Sequence, residues 1–512
     1  MDRSEDHLLP APVTLLAWLG LFVSACASLP TDYEKNPSTS FTETGSTSLG
    51  LSVAGWTDAH DGRSGFYPLP AGLDALGARL ALIDRAERSI DAQYFLIKKD
   101  LAGLVFSGKL VQAADRGVRV RFLLDDIFTT ATDESLLLLD HHPNIEIRLF
   151  NPVARGGFGW VNYLADFERA NRRMHNKSFT VDNQVTIVGG RNIGEEYFQL
   201  RKESEFVDFD ILGFGPVARG ISETFDVYWN HQLSYPMSAF ERSNESYEAL
   251  REELLTALKA RQDIYLRSIG TPLVRDLLDK KASFHPALAE VITDDPDKLL
   301  HEVSLEQKVL VTRMAEVIAN AKSEVIVINP YFIPRDTGLD FWKAVVDRGV
   351  KATVLTNSLA STNHVAVHSS YATYRKRLLE AGVNLYEARA DATTADAETG
   401  ERLGSLTLHT KLIAVDRRYL FVGSLNIDPR SIDINTEMGV LIDAPEMAAP
   451  LAERFMTLLP GFSYRLLLDG NGGLEWHGNV DGRAVVETSK PLASRWRRFS
   501  AWLQKIAPEA QL

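Results

Sequence analysis

The chain carries one stretch twice. The first copy runs Met174-His175-Asn176-Lys177-Ser178-Phe179-Thr180-Val181-Asp182 and then reaches Gly189-Gly190-Arg191-Asn192. The second runs Leu408-His409-Thr410-Lys411-Leu412-Ile413-Ala414-Val415-Asp416 and reaches Gly423-Ser424-Leu425-Asn426. His175 and His409, Lys177 and Lys411, Asp182 and Asp416, and Asn192 and Asn426 are all 234 residues apart. Residues two apart on an extended strand share a face, so each histidine projects together with its lysine. Each copy also reads as a hairpin. One apolar strand runs to a turn at Asp182-Asn183 or Asp416-Arg417, and a second (Val185 to Val188, Leu420 to Val422) leads to the small residues. A lone His-x-Lys carries no weight, because an isolated histidine near a strand is more often a satisfied core or surface residue. Recurrence at one spacing implies instead two half-sites, related by pseudo-symmetry, that meet at an interface.

The repeat extends beyond the motif. In the first half, Leu73 to Ser89 reads as a helix, Ile90 to Ile97 as a strand, and Leu101 to Arg116 as a helix ended by Gly117. Val118 to Leu124 and Ile145 to Phe150 read as buried strands. The second half follows the same order: helix Lys308 to Ala321, strands Val325 to Asn329 and Val350 to Leu355, helix Val365 to Leu379, strand Val383 to Tyr386. Tyr331-Phe332 answers Tyr94-Phe95, and Asp347-Arg348-Gly349-Val350 answers Asp115-Arg116-Gly117-Val118 at an offset of 232. Alternating strands and helices predict an α/β chain of two pseudo-symmetric lobes. Each is a mixed, largely parallel sheet covered by helices, with the active site between them. The expected division is a signal segment at 1–26, a flexible tether at 27–50, a first lobe at 51–240, a helical connector at 241–300 and a second lobe at 301–512.

At 512 residues the chain exceeds one ordinary core, and 45% hydrophobic with 24% charged residues describes a globular protein. Its 55 basic and 68 acidic residues leave a net charge of −13, a poor match to a protein that binds nucleic acid by neutralising phosphates. The single cysteine, Cys26, excludes an intrachain disulfide and a cysteine-based zinc site. It follows an apolar run ending Val23-Ser24-Ala25 and so resembles the lipidated cysteine of a bacterial lipoprotein signal, although Asp2, Glu5 and Asp6 leave the leading residues acidic. The alternative is an ordinary export signal or an anchor helix. Either reading predicts attachment to a membrane of the cell envelope and leaves open which one. Two further stretches have two readings each. Phe158-Gly159-Trp160-Val161-Asn162-Tyr163-Leu164 either lines a lipid entry or packs in the core. In the segment from Arg495 to Leu503, packing of Trp496, Phe499 and Leu503 on the body is the expectation, against a helix lying at a membrane surface. The acidic run Asp391 to Glu401 reads as a surface loop.

Both copies resemble the HxKxxxxDxxxxxxG(G/S)xN signature of the phospholipase D superfamily. Arg172-Arg173-Met174-His175 through Asp182, Gly189-Gly190-Arg191-Asn192-Ile193-Gly194 and Asn435-Thr436-Glu437-Met438-Gly439 are most similar to bacterial cardiolipin synthases of the C type. The resemblance covers the chain from about Ser64 onward. It implies transfer of a phosphatidyl group between phospholipids such as phosphatidylglycerol, with phosphatidylethanolamine a possible partner lipid, at a membrane and with no cofactor, metal or nucleic acid. One imidazole attacks phosphorus and forms a phosphohistidine. The other protonates the leaving oxygen and later deprotonates the acceptor. The resemblance favours His175 as nucleophile. Lys177 and Lys411 would hold the non-bridging oxygens, Asn192 and Asn426 would donate to them, and Gly190 and Ser424 would allow close approach. Asp182 and Asp416 belong to the signature but sit at turns, where holding the hairpin competes with a direct role. A histidine also needs a carboxylate to fix its tautomer. Glu437 is expected to serve His409, and Asp208 to serve His175, with Glu203 as the plain-offset alternative to Asp208. A phospholipase D that hydrolyses its lipid would share every one of these residues and differ in admitting water.

The N-terminal reading has a direct check. Cys26→Ser should abolish fatty-acid labelling and leave an unprocessed precursor of larger apparent mass. Unchanged labelling and mass would remove the lipoprotein reading.

Overall fold

A computed structural model describes residues 28–127, 129, 133–155, 159–201, 204–240, 246–279, 281–301, 304, 307–392, 404–506 and 508–511. Cys26 with its apolar run, Phe158, Glu203 and residues 393–401 of the acidic loop lie outside them.

The parallel part of each half is three strands wide. Ser89–Tyr94, Arg119–Asp125 and Ile145–Phe150 run parallel in the first half. Glu324–Ile328, Lys351–Asn357 and Asn384–Ala388 do so in the second. The crossover helices Leu101–Asp115 and Arg335–Asp347 run up to Gly117 (φ +93°) and Gly349 (φ +86°), left-handed positions that only glycine adopts without cost. Among the described residues, the other strand pairings within each half's main sheet are antiparallel, so the sheets are mixed α/β with a narrower parallel portion than the alternation of strands and helices suggested. The hairpin Ser178–Val181/Val185–Gly189 adds to the first half through Ser89–Tyr94 and is followed by Asp210–Phe214 and Ser64–Leu69. Its counterpart Leu412–Val415/Tyr419–Gly423 adds through Glu324–Ile328 and is followed by Met438–Asp443.

One strand joins the halves. The first residues of His285–Thr293 pair with Ser64–Leu69, and the remainder pairs with Met438–Asp443. The expected connector is therefore helical only in part. Helices Tyr247–Ala260, Gln262–Ile269 and Pro272–Leu278 bury Leu254, Leu258, Ile264 and Val274, and the chain then enters the sheet. An apolar cluster including Val188, Phe209, Ile211, Leu406, Leu412, Val422 and Val440 fills the space between the halves.

The described part of the expected tether differs too. Residues 28–47 have no regular structure, yet they are strapped along the first half by its side chains. Ser38 N donates to Asn230, Ser40 N to Asp226 at 2.8 Å, and Arg121 donates to Ser38 O at 3.0 Å. The Arg119 guanidinium lies 3.7 Å from the centre of the Phe41 ring. A Ser/Thr-rich stretch reads as a free linker until the buried arginines that bind its carbonyls are located.

Both hairpins turn through two residues of positive φ, Asp182-Asn183 and Asp416-Arg417, the geometry that matches strand twist in a two-residue loop. Asp182 accepts the N–H groups of Glu87, Arg88 (2.8 Å) and Ser89 (2.9 Å). Asp416 accepts those of Lys322, Ser323 (2.7 Å) and Glu324. Each aspartate thus ties its turn to the start of the first parallel strand of its half. Asp182 is fully buried and Asp416 partly exposed. A buried donor left without a partner costs about 1–3 kcal/mol. Asp182→Ala should therefore lower unfolding stability by several kcal/mol in denaturant titration, and Asp416→Ala by less, because water reaches its abandoned N–H groups.

Candidate active site

Backbone pairing between the halves sets the site. Ser204–Val207 of the first half pairs in parallel with Ser405–Leu408 of the second, and Val207 O accepts His409 N at 2.8 Å. The mirror contact is a bridge between Met174 and Thr436, where Thr436 O accepts His175 N at 3.0 Å. The residue after each acceptor carbonyl is a carboxylate. His409 Nδ1 therefore donates to Asp208 Oδ2 at 2.6 Å, and His175 Nδ1 donates to Glu437 Oε2 at 2.9 Å. This reverses the expected partnership, in which Glu437 served His409 and Asp208 served His175. Counting along one half missed that the strands bearing the carboxylates pair with the opposite half. In both cases donation from Nδ1 leaves Nε2 unprotonated.

The lysines converge on the same space. Lys177 Nζ donates to His175 O at 2.6 Å, and Lys411 Nζ donates to His409 O at 2.5 Å while lying 3.2 Å from His409 Nε2. Burial pushes both ammonium groups down, Lys411 to about 8 and Lys177 well below the usual lysine range, against the pull of Glu437 and Asp208. Burial also pushes both histidines down, aided by the lysines of both halves: His409 to about 3, and His175 well below the usual histidine range, where Arg430 adds to the effect. That each lysine acts on the histidine of the other half as well as its own makes this one chamber. Burial acts upward on Asp208, but His409, Lys411 and Arg191 outweigh it and hold the carboxylate below its usual range. Burial raises Glu437 to about 7 against Lys177 and the Ser424 hydroxyl. Without an anion, the chamber favours neutral imidazoles.

Gly190 and Ser424 lie against the two carboxylates. A Cβ at Gly190 would lie 2.2 Å from Asp208 Oδ1, so the carboxylate occupies the space that a side chain would need. The Ser424 hydroxyl donates to Glu437 Oε2. Asn192 Nδ2 lies 3.1 Å from Tyr197 OH, and the amide oxygens of Asn192 and Asn426 are buried without a protein partner. Turning the Asn192 amide over lets Tyr197 OH donate to its oxygen and frees Nδ2 for an anion. Phe95 meets His175 edge-on at 4.9 Å, and Phe206 stacks on His409 at 5.5 Å. Asp182 and Asp416 are engaged at their turns with backbone N–H groups, as described above, and not with the histidines.

Two site residues were not anticipated. Asp125 Oδ2 accepts Met174 N at 3.0 Å, and Asn357 brackets Leu408, accepting its N–H at 2.9 Å and donating to its carbonyl at 2.8 Å. Each grips the residue before a histidine from the end of a parallel strand. They are 232 residues apart, the offset already visible between Asp115 and Asp347, so extending that alignment by one strand would have found them.

Two pseudo-equivalent halves that close on a shared chamber of two histidines and two lysines define a phosphodiester-transfer enzyme of the phospholipase D type. The family model described as "Cardiolipin synthase, PLD-like domain" matches residues 80–229 and 314–459, one stretch in each half. Cardiolipin synthase C of Escherichia coli (strain K12) is 36% identical over 455 residues, covering 88% of this chain and 96% of its own length. An uncharacterized protein of Helicobacter pylori (strain ATCC 700392 / 26695) is 33% identical over 465 residues, covering 87% and 88%. Among solved structures, phosphatidylserine synthase of Haemophilus influenzae Rd KW20 aligns with a TM-score of 0.54 at 13% identity, over 81% of this chain and 92% of its own, a likeness of fold alone. The chain belongs to the cardiolipin synthase family of phospholipase D-like proteins, and it is a phosphatidyltransferase.

The lysine environment generates a pH dependence. An ammonium attracts an anionic phosphodiester only while protonated, and kcat/KM reports groups of the free enzyme. It should therefore fall as pH rises through about 8, where Lys411 loses its proton. Arginine stays charged throughout, so Lys411→Arg should move this limb upward, even at reduced turnover. A limb that does not move belongs to another group.

Proposed function

We propose that the enzyme moves a phosphatidyl group from one phospholipid to the alcohol of a second, with phosphatidylglycerol as donor and acceptor and phosphatidylethanolamine as a further partner lipid. The observation that carries this reading is the crossed pairing of two buried histidines with two carboxylates around a pair of lysines. The name of the Escherichia coli relative supports the product.

Neutral His175 attacks phosphorus through Nε2. An N–P bond forms, the P–O bond to the headgroup alcohol breaks, and protonated His409 gives its proton to the leaving oxygen. The acceptor alcohol then returns a proton to His409 as its oxygen attacks phosphorus and the N–P bond breaks. The division of roles follows the carboxylates. Asp208 stays ionised and supports an imidazolium at His409, whereas Glu437, raised to about 7, supports one at His175 less strongly. The arriving phosphodiester supplies the negative charge that lets His409 hold its proton. Lys177 and Lys411 offset charge that grows on the non-bridging oxygens. Action on bilayer lipids suits attachment to the bacterial cell envelope through Cys26. Among the described residues no helix is long and apolar enough to cross a membrane.

Purified enzyme given phosphatidylglycerol, alone or with phosphatidylethanolamine, should yield cardiolipin and the freed headgroup without added divalent metal. Primary alcohols should compete and give phosphatidyl alcohols. His409→Ala should lose about 10²–10⁴-fold in turnover, the usual worth of acid–base help. It should still trap phosphoenzyme from a substrate whose leaving group needs no proton, whereas His175→Ala should not. Phosphatidic acid as the main product under all acceptor conditions would make the enzyme a hydrolase with the same residues.

A further inference from the structure

The C-terminal helix Arg495–Leu503 does not bury its aromatic residues. Trp496 is 75% exposed and Trp502 64%, with Phe499 and Leu503 also exposed, while Ala501 is the residue that the helix buries. This overturns the expectation that Trp496, Phe499 and Leu503 pack on the body. What fastens the helix is Arg497, which donates to the carbonyls of Leu359 (2.5 Å) and Thr362. The exposed rings sit three residues apart and lie against one another, Trp496 to Phe499 at 5.6 Å and Phe499 to Trp502 at 5.9 Å. They form one apolar stripe, and Arg495, Arg498 and Lys505 stand exposed beside it. In a chain of net charge −13 this is a local basic rim around a narrow aromatic face.

The helix is linked on both sides to residues that hold the chamber. The loop that Arg497 grips continues to Asn363, which accepts from Tyr331 OH, and begins after Asn357, which brackets the residue before His409. Past the helix, Glu509 accepts from Ser370 and Tyr374, and Gln511 accepts from Asn171 at 2.6 Å. Asn171 is in turn held by Arg430, whose charge acts on His175. Just before Asn171, Leu164 and Phe167 are exposed. The C-terminal segment thus runs from the second half to the first, with exposed apolar side chains at both ends.

We propose that this segment seats the enzyme on an anionic phospholipid bilayer: Trp496, Phe499, Trp502 and Leu503 enter the headgroup boundary, with Leu164 and Phe167 beyond the Asn171 contact, and Arg495, Arg498 and Lys505 meet lipid phosphates. This rests on the reading that the substrate is a bilayer phospholipid. Aromatic rings with a polar edge favour the membrane–water boundary, and a helix with an apolar face and cationic flanks lies in that plane. A two-fold contact with a second copy through this same face would set basic rim against basic rim, whereas anionic lipid supplies the complementary charge. Each cation near such a surface strengthens partitioning about fivefold, within a Debye length.

The full-length enzyme in phosphatidylglycerol vesicles with brominated acyl chains should show tryptophan quenching, much of which is lost in Trp496→Phe/Trp502→Phe. Undiminished quenching in that variant would overturn the proposal. Trp496→Ser/Phe499→Ser/Trp502→Ser should lose roughly tenfold or more in turnover on vesicles, as expected when buried apolar area sets membrane affinity, and keep wild-type turnover on short-chain, dispersed phosphatidylglycerol. Equal loss on both substrates, or on neither, would refute docking. If the wild type turns over neither lipid while the quenching difference persists, the substrate reading fails and the docking surface stands. A change from dimer to monomer by light scattering in the serine variant, with quenching unchanged, would assign the face to contacts between copies and overturn the proposal.

Discussion

The crossed histidine–carboxylate bond is the contact on which the site depends. His175 takes its orientation from Glu437 and His409 from Asp208, so neither half contains a complete half-site. The cross-pairing rests on backbone register, not on side chains alone. The strand that ends at Val207 is hydrogen-bonded to the strand that leads into His409, and Thr436 pairs with the residue before His175. Hinging the halves apart would break these ladders and separate each carboxylate from the histidine it orients. The shared strand His285–Thr293 and the apolar cluster between the halves oppose the same opening. Rigidity across the interface is what allows two imidazoles to keep a fixed relation to one phosphorus atom, and orientation of that kind accounts for a large share of rate enhancement.

The second constraint is electrostatic. Burial of two lysines and two histidines in one chamber disfavours charge on all four at once, and it holds both imidazoles towards the neutral form. An anionic phosphodiester relieves this mutual repulsion and is thereby selected, because its charge is the one the chamber lacks. The carboxylates cannot fill that role themselves, since each is committed to an Nδ1 and wedged in place, Asp208 against Gly190 and Glu437 against the Ser424 hydroxyl.

The catalytic motif was legible in the sequence because strand periodicity and a fixed offset are local properties. So were the crossover helices, whose ends at Gly117 and Gly349 are set by a left-handed turn. Contacts between the halves were not legible. The carboxylates were found by matching positions within each half, and their true partners depend on which strands pair across the cleft. The strapped segment 28–47 looked like a linker because its partners, Arg119, Arg121 and Arg148, are far away in the chain. The aromatic C-terminal helix was misread for the opposite reason. Aromatic residues are usually core, and here the anchor is instead Arg497, a side chain that composition gives no cause to choose.

Pseudo-symmetry invites the view that the two half-sites are interchangeable, but the packed residues behind them differ in kind. Behind Met174 and His175 stands Asp125, a buried carboxylate raised to about 6 and paired with Arg173. Behind Leu408 and His409 stands Asn357, neutral and hydrogen-bonded to both peptide groups of Leu408. Glycine faces the carboxylate of one crossed pair, and a donating serine faces that of the other. Each substitution leaves the backbone frame intact while changing the charge or hydrogen bonding felt by an imidazole. A two-step displacement needs one histidine that gives up its proton readily and one that keeps it until the leaving group departs. Duplication of a half-site supplies two equal imidazoles, and these neighbours are where the two copies become unequal.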